Sequence, residues 1–146
     1  MQKTVYLLEA KGVGFGVEFE YHKHGPYSTD LALAAEDAEA RCLLRMTSQR
    51  GFHEIPYTVF HSTPKTPPLS DDVDNAARKR ALATMNRYSA LALELAATAV
   101  FLREHGYREG YWEEVKKRKS LKASAERLEQ AKRLLGELEL EPVLTT

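Results

Sequence analysis

His22 and His24 stand two residues apart, so a strand running through them would turn both imidazoles to one side. His61 or Cys42 would then have to complete a tetrahedral zinc site. Structural zinc usually shows two closely spaced ligand pairs and this chain has one, so no metal is expected and the histidines read as solvated turn residues. Ser28 and Cys42 are the candidate nucleophiles. Ser28 stands where a helix N-cap belongs, and Cys42 reads as a small apolar residue on a buried helix face. No catalytic centre and no cofactor are therefore expected. The run Gly12-Val13-Gly14-Phe15-Gly16 has the glycine content of a phosphate loop, but a dinucleotide fingerprint needs a strand before it and a helix N-terminus after it. The order here is reversed, which makes the run a helix C-cap and turn.

Positive charge gathers in Arg78-Lys79-Arg80 and in Lys116-Lys117-Arg118-Lys119 with Lys122. On one surface these side chains would neutralise several phosphates, and Tyr107, Tyr111 and Trp112 would offer rings for bases to stack on. The interspersed glutamates favour solvated helix faces instead, and aromatics of this size favour a satellite core. Across the 146 residues, 21 basic and 21 acidic side chains cancel, so no global field draws the chain to nucleic acid or to an anionic membrane. No apolar run approaches the length of a membrane span. The opening residues lack a signal peptide's apolar stretch and cleavage site, and one cysteine cannot form an internal disulfide, so the cytoplasm is the expected location.

The elements that would position these residues divide at Ser62-Thr63-Pro64-Lys65-Thr66-Pro67-Pro68-Leu69-Ser70, a stretch that can neither continue a helix nor supply ladder donors at its prolines. Residues 1–62 read as α+β, 63–70 as a connector and 71–146 as all-helical, together forming one domain. Lys3 to Ala10 reads as a short helix ending at Gly12, and Val17 to His22 alternates like a half-buried strand. A tight turn at His24-Gly25-Pro26-Tyr27 follows. Ser28 then caps a helix to about residue 42, with Leu31, Ala34, Ala35, Ala38 and Cys42 on one face. Leu43 to Met46 and Ile55 to His61 read as hairpin strands joined by Ser48-Gln49-Arg50-Gly51.

Beyond the connector, apolar positions from Val73 through Ala81 and Leu95 to Leu102 keep a helical period with a break near Met85 to Ser89. A short helix from Tyr111 to Lys119 follows. Ser124 then caps a last helix whose buried stripe is Leu128, Ala131, Leu134, Leu135 and Leu138. The fold class is α+β, mainly helical: a winged-helix-like unit with a β-hairpin wing, then a C-terminal helical region.

At His24-Gly25-Pro26-Tyr27-Ser28, with Phe19-Glu20-Tyr21 before it and Gln2-Lys3-Thr4-Val5-Tyr6-Leu7-Leu8 at the start, the chain resembles the YwgA-like proteins, a prokaryotic family. Leu93-Glu94-Leu95-Ala96-Ala97-Thr98, Val100-Phe101 and Glu114-Val115-Lys116 occur in that family's order. A more distant likeness, confined to the strand and the Gly-Pro turn, is to Panacea-type antitoxin domains, which neutralise partner toxins. The resemblance implies a winged-helix-like fold and supplies no reaction, cofactor or catalytic residue. Two departures are His24 where an aromatic is common, and Met1 where a further helix would stand.

A winged helix sets one helix in the major groove, but here that helix, Thr29 to Cys42, carries Asp30, Glu36, Asp37 and Glu39 against Arg41. The expectation is thus a non-enzymatic regulatory module that binds protein, antitoxin-like, with a DNA-binding regulator as the alternative. Nucleic acid would be held weakly, through Lys116, Lys117, Arg118, Lys119 and Lys122. Without an opening helix, apolar surface around Val5, Tyr6, Leu7 and Leu8 would be bare. A homodimer is expected to cover it, with Val5 and Leu8 at the interface, unless the true start lies upstream.

Overall fold

Four helices begin on a side chain that takes an otherwise unpaired backbone N–H. Ser28 Oγ accepts from Leu31 at 3.1 Å, Asp72 from Asn75 at 2.7 Å, Ser89 from Ala92 at 3.1 Å and Ser124 from Arg127 at 3.3 Å. Each cap contributes about 1 kcal/mol and fixes where its helix starts. The computed structural model describes residues 1–51 and 54–141. In chain order the elements are α1 (Gln2–Ala10), β1 (Glu20–His22), β2 (Gly25–Tyr27), α2 (Thr29–Ala40), β3 (Leu44–Arg50), β4 (Pro56–Ser62), α3 (Val73–Met85), α4 (Ala90–Glu104), α5 (Tyr111–Arg118) and α6 (Ala125–Glu137). The fold is α+β and mainly helical, with two separate antiparallel hairpins, β1–β2 and β3–β4.

α4 is apolar nearly all round, the pattern of a helix enclosed on every side. Four of its alanines, Ala92, Ala96, Ala97 and Ala99, are fully covered and let neighbouring elements approach closely. α1, β2, α5 and α6 pack around it, and α6 supplies the expected stripe of Leu128, Ala131, Leu134, Leu135 and Leu138. Tyr107, Tyr111 and Trp112 are partly buried against this cluster. Among the described residues no helix is long and apolar enough to cross a membrane.

Several expectations are corrected. Tyr6, Leu7 and Leu8 are not bare but buried in the same apolar cluster as α3 to α6, with Leu8 only 4 % exposed. The helical half fills the place assigned to a missing helix, which removes the reason for an interface at Val5 and Leu8. The strand expected from Val17 begins only at Glu20, and residues 25–27, expected as a turn, form its partner strand around a Lys23-His24 turn. Ser48, Gln49 and Arg50 belong to β3 rather than to a turn. Cys42 lies beyond the end of α2 at φ 61° and is exposed, because the chain leaves the helix at Arg41 to enter β3. The β3–β4 hairpin follows α2 as a wing would, yet α2 packs chiefly on β3 and not into a three-helix core.

Candidate functional site

The turn motif proves to be a clamp. Gly25 takes φ 98°, and a Cβ there would come within 2.7 Å of Thr98 Oγ1 on α4, so the hairpin reaches the helix only because the residue is glycine. Pro26 is buried and its carbonyl accepts from Lys3 Nζ at 2.8 Å. Tyr27 stacks on His22 at 4.8 Å between ring centres. Ser28 exchanges two hydrogen bonds with the Gln2 amide, 2.8 and 2.9 Å long, which tie α1 to the start of α2.

Beside this clamp lies a charged cluster built on Glu94, an acid within the apolar run Leu91 to Ala97 of α4. Its carboxylate meets Lys122 Nζ at 3.0 Å and Lys119 Nζ at 3.2 Å, with side chains only 12 %, 12 % and 5 % exposed, respectively. Lys119 also donates to Lys23 O at 3.1 Å, and Lys122 lies 3.2 Å from His24 Nδ1. Burial pulls Lys3 down to about 8, with Glu94 pulling the other way and Lys119 and Lys122 adding to the fall. Burial also lowers Lys119 and, followed by the charge of Lys122, lowers His24. One turn beyond Glu94, Thr98 Oγ1 is buried with no hydrogen-bond partner among the described residues. The cluster joins α1, the first hairpin, α4 and the segment after α5. Its sequence signal was Glu94 itself, since an acid inside the apolar run Leu91 to Ala97 requires buried partners.

A measurable consequence follows for Lys3. Between pH of about 8 and 10.5 the unfolded chain holds a proton on Lys3 that the folded chain has released, so this group's contribution to stability rises with pH through that window. Urea midpoints measured across it should rise more steeply with pH in the wild type than in Lys3→Met. Parallel profiles would show that Lys3 is as hydrated in the folded chain as in the unfolded one.

The expected phosphate-binding stripe is dismantled by the same contacts. Lys119 and Lys122 are committed to Glu94, while Arg118 binds Glu114 at 2.8 Å and lies over the rings of Tyr21 and Tyr107. Of the five candidates, Lys116, Lys117 and Arg118 remain on the surface, with Lys116 3.6 Å from Glu113. Arg78, in the other basic cluster, donates to Val13 O and Gly14 O at 2.6 and 2.9 Å and covers the Phe15 ring. The glycine run does cradle an anion, the chain's own Glu9, whose Oε1 accepts from Phe15 N–H at 2.6 Å and Val17 N–H at 2.9 Å. A Cβ on Gly14 would overlap that carboxylate. The possible zinc ligands are scattered: His22 is against Tyr27, His24 beside Glu94, and His61 bonded to Thr47 at 3.0 Å. Among the described residues no three His, Cys, Asp or Glu side chains stand together as a metal would require.

The remaining surface is of a different kind. Among the described residues of 29–62, Ala35 alone is buried. α2 presents Leu33, 57 % exposed, beside Asp30, Glu36 and Asp37, and β4 presents Tyr57 at 45 %. Glu39 accepts from Met46 N–H at 2.8 Å and so fastens α2 to the outer edge of β3. An α-helix and hairpin whose described residues bury one alanine gain little against the roughly 1 kcal/mol or more lost in ordering each residue. Compared with protein-family models, curated proteins and solved structures, the chain matches none.

Proposed function

We propose that the chain is a non-catalytic regulatory module that binds another protein through residues 29–62. The observation that carries this reading is the burial contrast: the core around α4 is closed, whereas the described apolar side chains of the α2 and β3–β4 lobe are, Ala35 apart, at most partly covered, with Leu33 and Tyr57 exposed. α2 suits a groove that is apolar where it meets Leu33 and positively charged around it, because Asp30 and Glu36 flank that leucine on the exposed surface. A toxin blocked by the docked chain is one partner of this kind, in line with the antitoxin-like reading of the sequence. Ser28 supports the non-catalytic part, since its hydroxyl caps α2 and is buried. Nucleic acid is the less favoured partner, because the clustered cations are largely engaged within the chain.

Affinity capture from the native host, with nuclease present, tests the reading. A protein retained in stoichiometric amount by the wild type should be lost with Leu33→Asp, whose melting temperature should match the wild type because Leu33 is exposed. Retention by Leu33→Asp, or recovery that disappears with nuclease, would overturn it.

A further inference from the structure

In the clamp one carboxylate answers three ammonium groups. Lys119 Nζ and Lys122 Nζ meet Glu94 at 3.2 and 3.0 Å, and Lys3 feels the charges of all three while its own Nζ donates to Pro26 O at 2.8 Å. His24 adds no anion: its Nδ1 accepts from Lys122 Nζ. Among the described residues no other carboxylate lies within ion-pair distance of these lysines, so the fully protonated cluster carries a surplus of two positive charges. Such a surplus is unfavourable where the side chains of Lys119 and Lys122 are only 5 % and 12 % exposed.

Lys3 is the member of the cluster equipped to react. Its side chain is neither fully buried nor freely solvated. Burial and the neighbouring ammonium groups hold it at about 8, against about 10.4 for an ordinary lysine, so near neutral pH roughly 100-fold more of it is the nucleophilic amine. Thr98 Oγ1 stands close by, fully buried and without a hydrogen-bond partner among the described residues. The point that a Gly25 Cβ would occupy is 2.7 Å from this hydroxyl and 3.6 Å from Lys3 Cε. An acceptor attached to the end of the Lys3 stem thus comes within reach of an unmatched donor.

We infer that Lys3 is a site of reversible carboxylation by dissolved carbon dioxide, the resulting carbamate being held by Lys119, Lys122 and Thr98. The lone pair of the neutral Nζ attacks the carbon of carbon dioxide, forming the N–C bond while one C=O π pair moves onto oxygen. One proton then passes from nitrogen to water, so amine and carbon dioxide give carbamate and H+ with nothing oxidised or reduced. Counted from the ammonium form, Lys3 changes from cation to anion, which removes the surplus and leaves two anions facing two cations. The carbamate nitrogen keeps one hydrogen, the one that the bond to Pro26 O requires. Acetylation of Lys3 would abolish its charge but supply no anion to the other two lysines. A free sulfate or phosphate would balance the charge, but it needs room for five heavy atoms beside nearly covered side chains, where carbon dioxide adds three.

Carbon-13 nuclear magnetic resonance of the full-length chain in labelled bicarbonate, slightly above neutral pH, tests this. A carbamate carbon should appear in the wild type, grow with bicarbonate at fixed pH, and be absent from Lys3→Arg, which keeps the charge without the amine. Trapping the carbamate as its ethyl ester with triethyloxonium, followed by peptide mass spectrometry, should place the added group on Lys3 in the wild type, whether or not the variant folds. At matched pH and ionic strength, bicarbonate should raise the melting temperature of the wild type by about 2 °C or more and leave Lys3→Arg unmoved. Thr98→Val, which removes only the unmatched hydroxyl, should lower the occupancy several-fold. A wild type without the signal, a signal that survives in Lys3→Arg, a trapped group on another residue, or a stability gain shared equally by that variant would overturn the inference.

Discussion

Replacing Glu94 by glutamine is expected to lower stability by about 3 to 5 kcal/mol, the cost of leaving buried charges without their counter-ion. Lys119 and Lys122 stay in place in that variant, each at most 12 % exposed, and the amide offers no charge to either. Lys3 adds its own field to the same region. For a chain of this length about 1 kcal/mol corresponds to roughly 2 to 4 °C, so the melting temperature should fall by about 10 °C. The loss reflects unpaired lysines and not a favourable ion pair. Glu94→Leu combined with Lys119→Met and Lys122→Met should therefore recover most of it. Thermal unfolding followed by circular dichroism distinguishes these outcomes. A glutamine variant within about 1 kcal/mol of the wild type would mean that water reaches the lysines and that the cluster is no clamp.

Leu8→Asp is expected to unfold the chain, not to separate two folded copies. Leu8 belongs to the apolar cluster shared by α1 and α3 to α6. An uncompensated carboxylate there costs on the order of 4 kcal/mol or more, a large share of the 5 to 15 kcal/mol that holds a typical domain together. Urea denaturation should show a strongly reduced midpoint or no native baseline. Val5→Asp, at a half-buried position of the same helix, should be milder. A folded Leu8→Asp chain with a native midpoint would place α1 on the surface, contrary to the packing described here.

Local physics made much of the helical architecture legible in the sequence. The Ser28 and Ser124 caps, the break between α3 and α4 and the leucine stripe of α6 each depend on neighbours within a few residues. The buried charges depend on packing over long separations. Lys119 and Lys122 looked like a solvated basic face until α5 and the segment after it were laid against α4, where Glu94 waits 25 or more residues earlier in the chain. The glycine run was correctly read as following a helix, but its anion lay within that helix: Glu9 folds back into the loop and Arg78 closes it from α3. Cys42 was misplaced by two residues of helix, enough to move it from an apolar face to an exposed left-handed turn. β1 is the end of the strand expected from Val17, whereas β2 is too short for alternation to show and its Gly25-Pro26 reads locally as a turn.

Central to this reading is that the α2 and β3–β4 lobe draws little on a core of its own, while the core around α4 is closed. Hydrogen exchange of the purified full-length chain, read by mass spectrometry, tests it directly. The amides of α4 should be protected, and those of α2, β3 and β4 should exchange roughly 100-fold faster or more. Exchange in α2, β3 and β4 as slow as in α4 would show that the lobe is held by its own core, and would contradict this reading.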